Sequence, residues 1–127
     1  MLDIHQQKPF LRGYPTTISY EEIAHNYLGD DYELSLVFCS KKTMKRLNNE
    51  TRQKNYATNI LSFPLSETAG EMFICLPACR GQHKDFDRDF NNFIAFLYVH
   101  GLVHLKGYDH GAIMDQQEES LRTQFGI

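Results

Sequence analysis

The apolar positions of this chain change their period along its length, and each period predicts an element. In ELSLVFC, residues 33–39, Leu34, Leu36 and Phe38 alternate with smaller or more polar neighbours, which predicts a strand with one well-buried face. LDIHQ near the start alternates in the same way over a shorter run. NILSF before Pro64 and EMFICL before Pro77 predict two more strands, and the turn-forming SETAG between them allows a hairpin. Elsewhere the spacing is helical. Ser19 followed by Glu22 has the form of a capping box and predicts a helix that stops at Gly29, where positive φ costs little. Ser40 can cap a second helix through about Leu47, with Met44 and Leu47 turned inward and Lys41, Lys42, Lys45 and Arg46 in water. A longer helix is expected from about Asp85. Three aspartates there suit a helix N-terminus, and Phe90, Phe93, Ile94, Leu97 and Leu105 recur at helical spacing until Gly107 ends it. A last amphipathic helix, roughly Met114 to Phe125, is expected to carry Asp115, Glu118 and Glu119 outward.

These elements alternate without a repeat, a low-complexity stretch or a linker. The expected fold class is therefore α+β, a mixed α/β arrangement in a single layered domain over residues 1–127, with about four strands in a mixed sheet packed with helices. At 127 residues and 42% hydrophobic composition, such a domain builds its core without disulfide or metal staples. The longest apolar run, FIAFLYV, is far shorter than the roughly 20 residues a membrane-spanning helix needs. The opening MLDIHQQKPF lacks the basic-then-apolar form of a signal peptide, so a cytoplasmic location and no membrane partner are expected. Cys39, Cys75 and Cys79 lack the paired spacing of zinc ribbons and are expected to be reduced, buried thiols without a functional role.

Charge adds a feature that hydrophobicity does not show. The net charge is −3, yet residues 41–54 hold six cations against Glu50 alone, which makes this segment +5 and leaves −8 for the remainder. A basic patch on an acidic body is a candidate contact for phosphate.

The sharpest chemical signal is HGLVHLKGYDH. On a helix, residues four apart lie about 40° apart around the axis, so His100 and His104 project to one side and can share a metal. A continued helix would carry His110 about 9 Å further along the axis, out of reach of the same ion. Gly107 can take positive φ and turn the chain so that His110 folds back over the other two. Three imidazoles predict one Zn2+ ion at the end of the long helix. A zinc with three protein ligands keeps a fourth position open, the pattern of catalytic sites, and can bring the pKa of a coordinated water to about 7. Asp109 is a reserve ligand or an acceptor that fixes an imidazole tautomer. His5, His25 and His83 stay unassigned.

The spacing is close to that of zinc proteases, but those place their general base immediately after the first histidine, where this chain has Gly101. Peptide or amide hydrolysis is thereby disfavoured. A phosphodiester instead calls for zinc plus a guanidinium, and the basic segment supplies candidates.

HGLVHLKGYDH resembles the HGxLHLxGYDH signature of the YbeY family, bacterial zinc-dependent endoribonucleases linked to ribosomal RNA maturation. LNNETRQKNYATNILSFPL is similar to that family's upstream block, and GEMFIC to the strand that follows it. The resemblance implies that His100, His104 and His110 bind zinc, that Arg52 stands close to the metal as the family's functional arginine, and that the catalytic set is Arg52 with the three histidines. It also implies single-stranded RNA, ribosomal RNA above all, as substrate, with small ribosomal subunit proteins as further partners. The chain departs from the family pattern at Asn59, usually aspartate, and at Val103, usually leucine. A ribosome-assembly factor that binds RNA or protein without cleaving it is the alternative outside enzymology.

Overall fold

The computed structural model describes residues 1–7 and 13–127. The end of the MLDIHQQKPF segment, residues 8–10, lies outside them. The strands β1 (Leu2–Gln6), β2 (Glu33–Cys39), β3 (Ile60–Ser66) and β4 (Ala69–Cys75) form one sheet in the order β1-β2-β4-β3. β1 and β4 both run parallel to β2, whereas β3 folds back antiparallel on β4. The sheet is therefore mixed and four-stranded, and the SETAG turn closes a hairpin. β3 continues through Pro64, with a register shift between Pro64 and Ser66. That is tolerated because β3 is an edge strand, where a residue without an N–H costs no ladder bond on the open side.

The helices follow in chain order as α1 (Tyr20–Leu28), α2 (Lys41–Arg52), α3 (Leu76–Gln82), α4 (Phe90–Leu105) and α5 (Ala112–Phe125). Leu34, Leu36 and Phe38 of β2 and Met72 and Ile74 of β4 form one buried face. Ile23 of α1, Leu121 of α5 and Phe93, Ile94, Leu97, Tyr98 and Leu102 of α4 cover it. Full burial of each such side chain is worth about 1.5–3 kcal/mol, which is what holds α4 against the sheet. The other face is covered by α2, whose Met44 is fully buried in a smaller cluster with Leu61, Cys39 and Cys75. The fold is thus a mixed α/β sheet packed with helices on both sides.

Several boundaries differ from expectation, each for a local reason. α1 starts after Ser19, but the Ser19 side chain caps no amide, so the predicted capping box does not form. α2 continues past Leu47 to Arg52 and ends where Gln53 adopts left-handed φ. The long helix begins at Phe90 rather than near Asp85. His83–Phe86 form one 3-10 turn, Asp87 takes φ 53°, and Asp89 is the true cap, its Oδ1 accepting the Asn92 amide at 2.7 Å. α3 was not expected at all. Pro77 can end a strand, but proline is also favoured in the first turn of a helix, where its missing N–H would be unpaired anyway.

Candidate metal centre

α4 is almost wholly buried, and only its last two turns present histidines toward solvent. His100 and His104 stand one turn apart, both half-buried, with ring centroids 4.7 Å apart. The helix then closes tightly: the Gly107 amide donates to the His104 carbonyl at 2.9 Å, and Gly107 takes φ 108°. This turn brings His110 back, exposed, to 5.6 Å from the His100 ring and 5.0 Å from the His104 ring. One nitrogen from each of the three rings lies within 4.8 Å of the other two. Among the described residues this is the one group of three or more His, Cys, Asp or Glu side chains arranged to hold a metal ion.

The far nitrogens decide which tautomers are present. Nδ1 of His104 lies 3.1 Å from the Tyr108 carbonyl, which can only accept, so Nδ1 carries the proton and the Nε2 lone pair is left for a metal. Nδ1 of His100 donates to Oε1 of Glu118 at 2.9 Å with the same consequence. Burial, and after it the neighbouring His100 ring, lower the His104 pKa, while the Tyr108 carbonyl and Glu118 act the other way. The neutral ring that metal binding requires is therefore favoured. Three gathered imidazoles, two of them with orienting acceptors, fit a borderline metal ion bound through nitrogen.

Glu118 corrects the expected outward placement. It is 6% exposed, on the inner face of α5, and its carboxylate lies 4.0 Å from Arg122 as well as beside His100. The signal was present in the sequence: Met114, Glu118 and Leu121 recur at helical spacing and all three are buried.

The cleft in front of the histidines is about 480 Å³, and its opposite wall comes from the segment between α2 and β4. Arg52, Thr58, Asn59, Ser62 and Pro64 line it together with the three histidines and Asp109. The extension of α2 to Arg52 is what delivers this guanidinium to the cleft, and the following loop is pinned by fully buried Asn48, whose amide donates to the Tyr56 carbonyl at 2.9 Å. Lys41, Lys42, Lys45 and Arg46 are exposed on α2 and do not line the cleft. Asp109 shares the cleft without joining the histidine group. Asn59 donates to Gln82 Oε1 at 3.0 Å and holds the Cys75 amide through its carbonyl. His25 pairs with Asp30 at 2.7 Å and His83 with the Arg88 carbonyl at 2.8 Å, so both have local roles away from the cleft.

Gly101 has a packing reason in addition to its missing carboxylate. A Cβ added there would stand 2.5 Å from Cε of Met72 and 3.0 Å from Cδ1 of Ile60. α4 approaches β4 and β3 closely at this point, and no side chain fits between them.

The family described as Endoribonuclease YbeY matches residues 7–126. A protein of Alkaliphilus metalliredigens named Endoribonuclease YbeY is 35% identical over 121 residues, covering 83% of this chain and 78% of its own. One of the same name from Helicobacter pylori is 33% identical over 131 residues, covering 97% and 91%. A Thermotoga maritima protein solved in solution shares the fold with a TM-score of 0.65, at 22% identity over 99% of this chain and 90% of its own. With its sequence matched almost from end to end and its three histidines gathered in one cleft, this chain belongs to the YbeY family of endoribonucleases.

Proposed function

We propose that this chain is a zinc-dependent endoribonuclease that cuts single-stranded RNA. Its place would be in ribosomal RNA maturation and ribosome quality control in the cytoplasm, as one hydrolase-like domain over residues 1–127. The observation that carries this reading is the cleft itself, with three gathered imidazoles on one wall and Arg52 on the other. Family membership supports the reaction class, and no described helix is long and apolar enough to cross a membrane.

Three neutral nitrogen donors that leave an open side suit zinc better than an oxygen-seeking cation. When bound, the ion polarises a phosphoryl oxygen and lowers the pKa of water. The chain's own groups do the rest. Glu118 and the Tyr108 carbonyl hold His100 and His104 in register. Arg52 offers a planar fork of donors to the negative charge that develops on the phosphoryl oxygens. The exposed cations of α2 attract the RNA backbone from outside the cleft. The peptidase alternative is weakened by Gly101, whose position has no room for a base.

Metal quantification coupled to cleavage of a defined single-stranded RNA tests the proposal. Purified chain is expected to hold about one zinc. His104→Ala should lose both metal and cleavage, and Arg52→Ala should keep the metal and lose cleavage about 100- to 1,000-fold. RNA binding by a zinc-loaded chain without any cleavage would replace the nuclease reading with that of an assembly factor. End-group analysis of the products identifies the attacking oxygen.

A further inference from the structure

A second pocket of about 430 Å³ shares His100, His110, Asn59 and Ile60 with the histidine cleft and opens on its far side. Its chemistry is different. Phe86, at the end of the 3-10 turn, has one side against fully buried Phe93, with ring centroids 4.9 Å apart, yet remains 48% exposed. Beside it, Phe96 carries two guanidinium groups, Arg88 at 4.3 Å and Arg122 at 5.1 Å from the ring centroid. Arg88 donates to the Asn92 side chain rather than to a carboxylate. Asp115, Glu118, Glu119 and Arg122 line the α5 side, and Glu118 lies 4.0 Å from Arg122.

From this juxtaposition we propose that the pocket is a nucleotide subsite: a base flanking the cleavage position stacks on Phe86, and its polar edge meets the carboxylates of α5. The inference rests on the RNA reading of the neighbouring cleft and adds the element that grips a base rather than a backbone. An exposed ring on a rigid aromatic support is the platform used for unpaired bases, at low cost in side-chain entropy. Asp115 and Glu119 would repel a phosphate but accept hydrogen bonds from the exocyclic amino groups of cytosine, adenine or guanine. That fixes the orientation, with the edge of the base toward α5 and its phosphate away from it. The volume lies within the roughly 300–1,000 Å³ of small-molecule sites. Duplex RNA keeps its bases stacked on each other, so the subsite also accounts for a preference for single strands.

The chain contains no tryptophan, which provides a direct test. In the Phe86→Trp variant the single indole should be quenched, saturably, by a short oligocytidylate but not by an abasic ribose-phosphate oligomer of equal length. Phe86→Leu keeps the apolar seat on Phe93 and removes the stacking ring. It should bind the oligocytidylate about 5- to 100-fold more weakly than the wild type, with unchanged thermal stability. An unquenched indole together with wild-type affinity for Phe86→Leu would overturn the subsite and leave the nuclease reading intact. No RNA binding by the wild type would overturn both. Quenching by an aromatic peptide in place of the oligomer would assign the pocket to a protein partner, and the proposal would fail.

Discussion

Oε1 of Glu118 lies 2.9 Å from Nδ1 of His100, across the interface between α4 and α5. A nearly buried carboxylate that accepts from the back of a ring fixes that ring's tautomer and rotation and raises the basicity of its outer nitrogen. Glu118 is thus a positioning residue for the metal centre although it faces away from the cleft.

Replacement of Glu118 should show this in metal affinity. Glu118→Ala is expected to weaken zinc binding about 10- to 100-fold. Glu118→Gln should lose less, because its amide oxygen can still accept from His100. Competition with a chromophoric chelator measures both, and equal affinity in all three proteins would remove Glu118 from the site.

Gly101 makes a prediction about stability. The Cβ of Gly101→Ala would meet the terminal Cε of Met72, which is fully buried and must shift within the core to admit it. Overpacking of this kind costs about 1–3 kcal/mol, which urea denaturation reads directly. Gly101→Glu, the change that would imitate a protease, is expected to prevent α4 from docking.

Metal removal should lower stability without unfolding the chain, because the core on both sheet faces is complete without an ion. At a free zinc concentration 100 times Kd the ion contributes about 2.7 kcal/mol, so chelation should lower Tm by roughly 10 °C while the far-ultraviolet circular dichroism at 25 °C is kept. Loss of that spectrum on chelation would mark a structural zinc instead.

The three thiols are fully buried and should resist thiol reagents in the native chain, then react in denaturant. Burial, with Cys75 adding to it, pushes the Cys39 pKa from 9.0 up to about 12, and burial raises Cys75 and Cys79 as well. The unfolded chain therefore releases these protons near pH 9 while the native chain holds them. Their contribution to stability is complete below pH 9 and is lost as the pH rises toward 12. Urea midpoints taken at pH 7, 9 and 10 should fall in that order.

Elements whose pattern is set by their own sequence were legible from it. Leu34, Leu36 and Phe38 define β2, and the histidine spacing with Gly107 predicted the turn that gathers the three rings. Elements decided by a choice between two local signals were not. Pro77 can end a strand or begin a helix, and only the packing of Leu76 and Cys79 into the core selects the helix. Asp85, Asp87 and Asp89 all resemble caps, and the left-handed φ of Asp87 excludes the earlier ones. At Glu118 charge and periodicity point opposite ways: a carboxylate at an inward position is stable only with a partner, and that partner, His100, lies on another helix. The pairing of Arg52 with the histidines rests on the sheet order, which no local pattern contains.

The histidine group and Glu118 span residues 100–118, whereas Arg52 and the facing wall come from residues 52–64. The two halves of the cleft therefore belong to different stretches of the chain, and the second half rests on the edge strand β3. A fluctuation that lifted β3 away from α4 would dismantle the seat for substrate and leave the ion in place. Such a chain would be metal-replete and inactive, and metal content alone would not report its fitness for work.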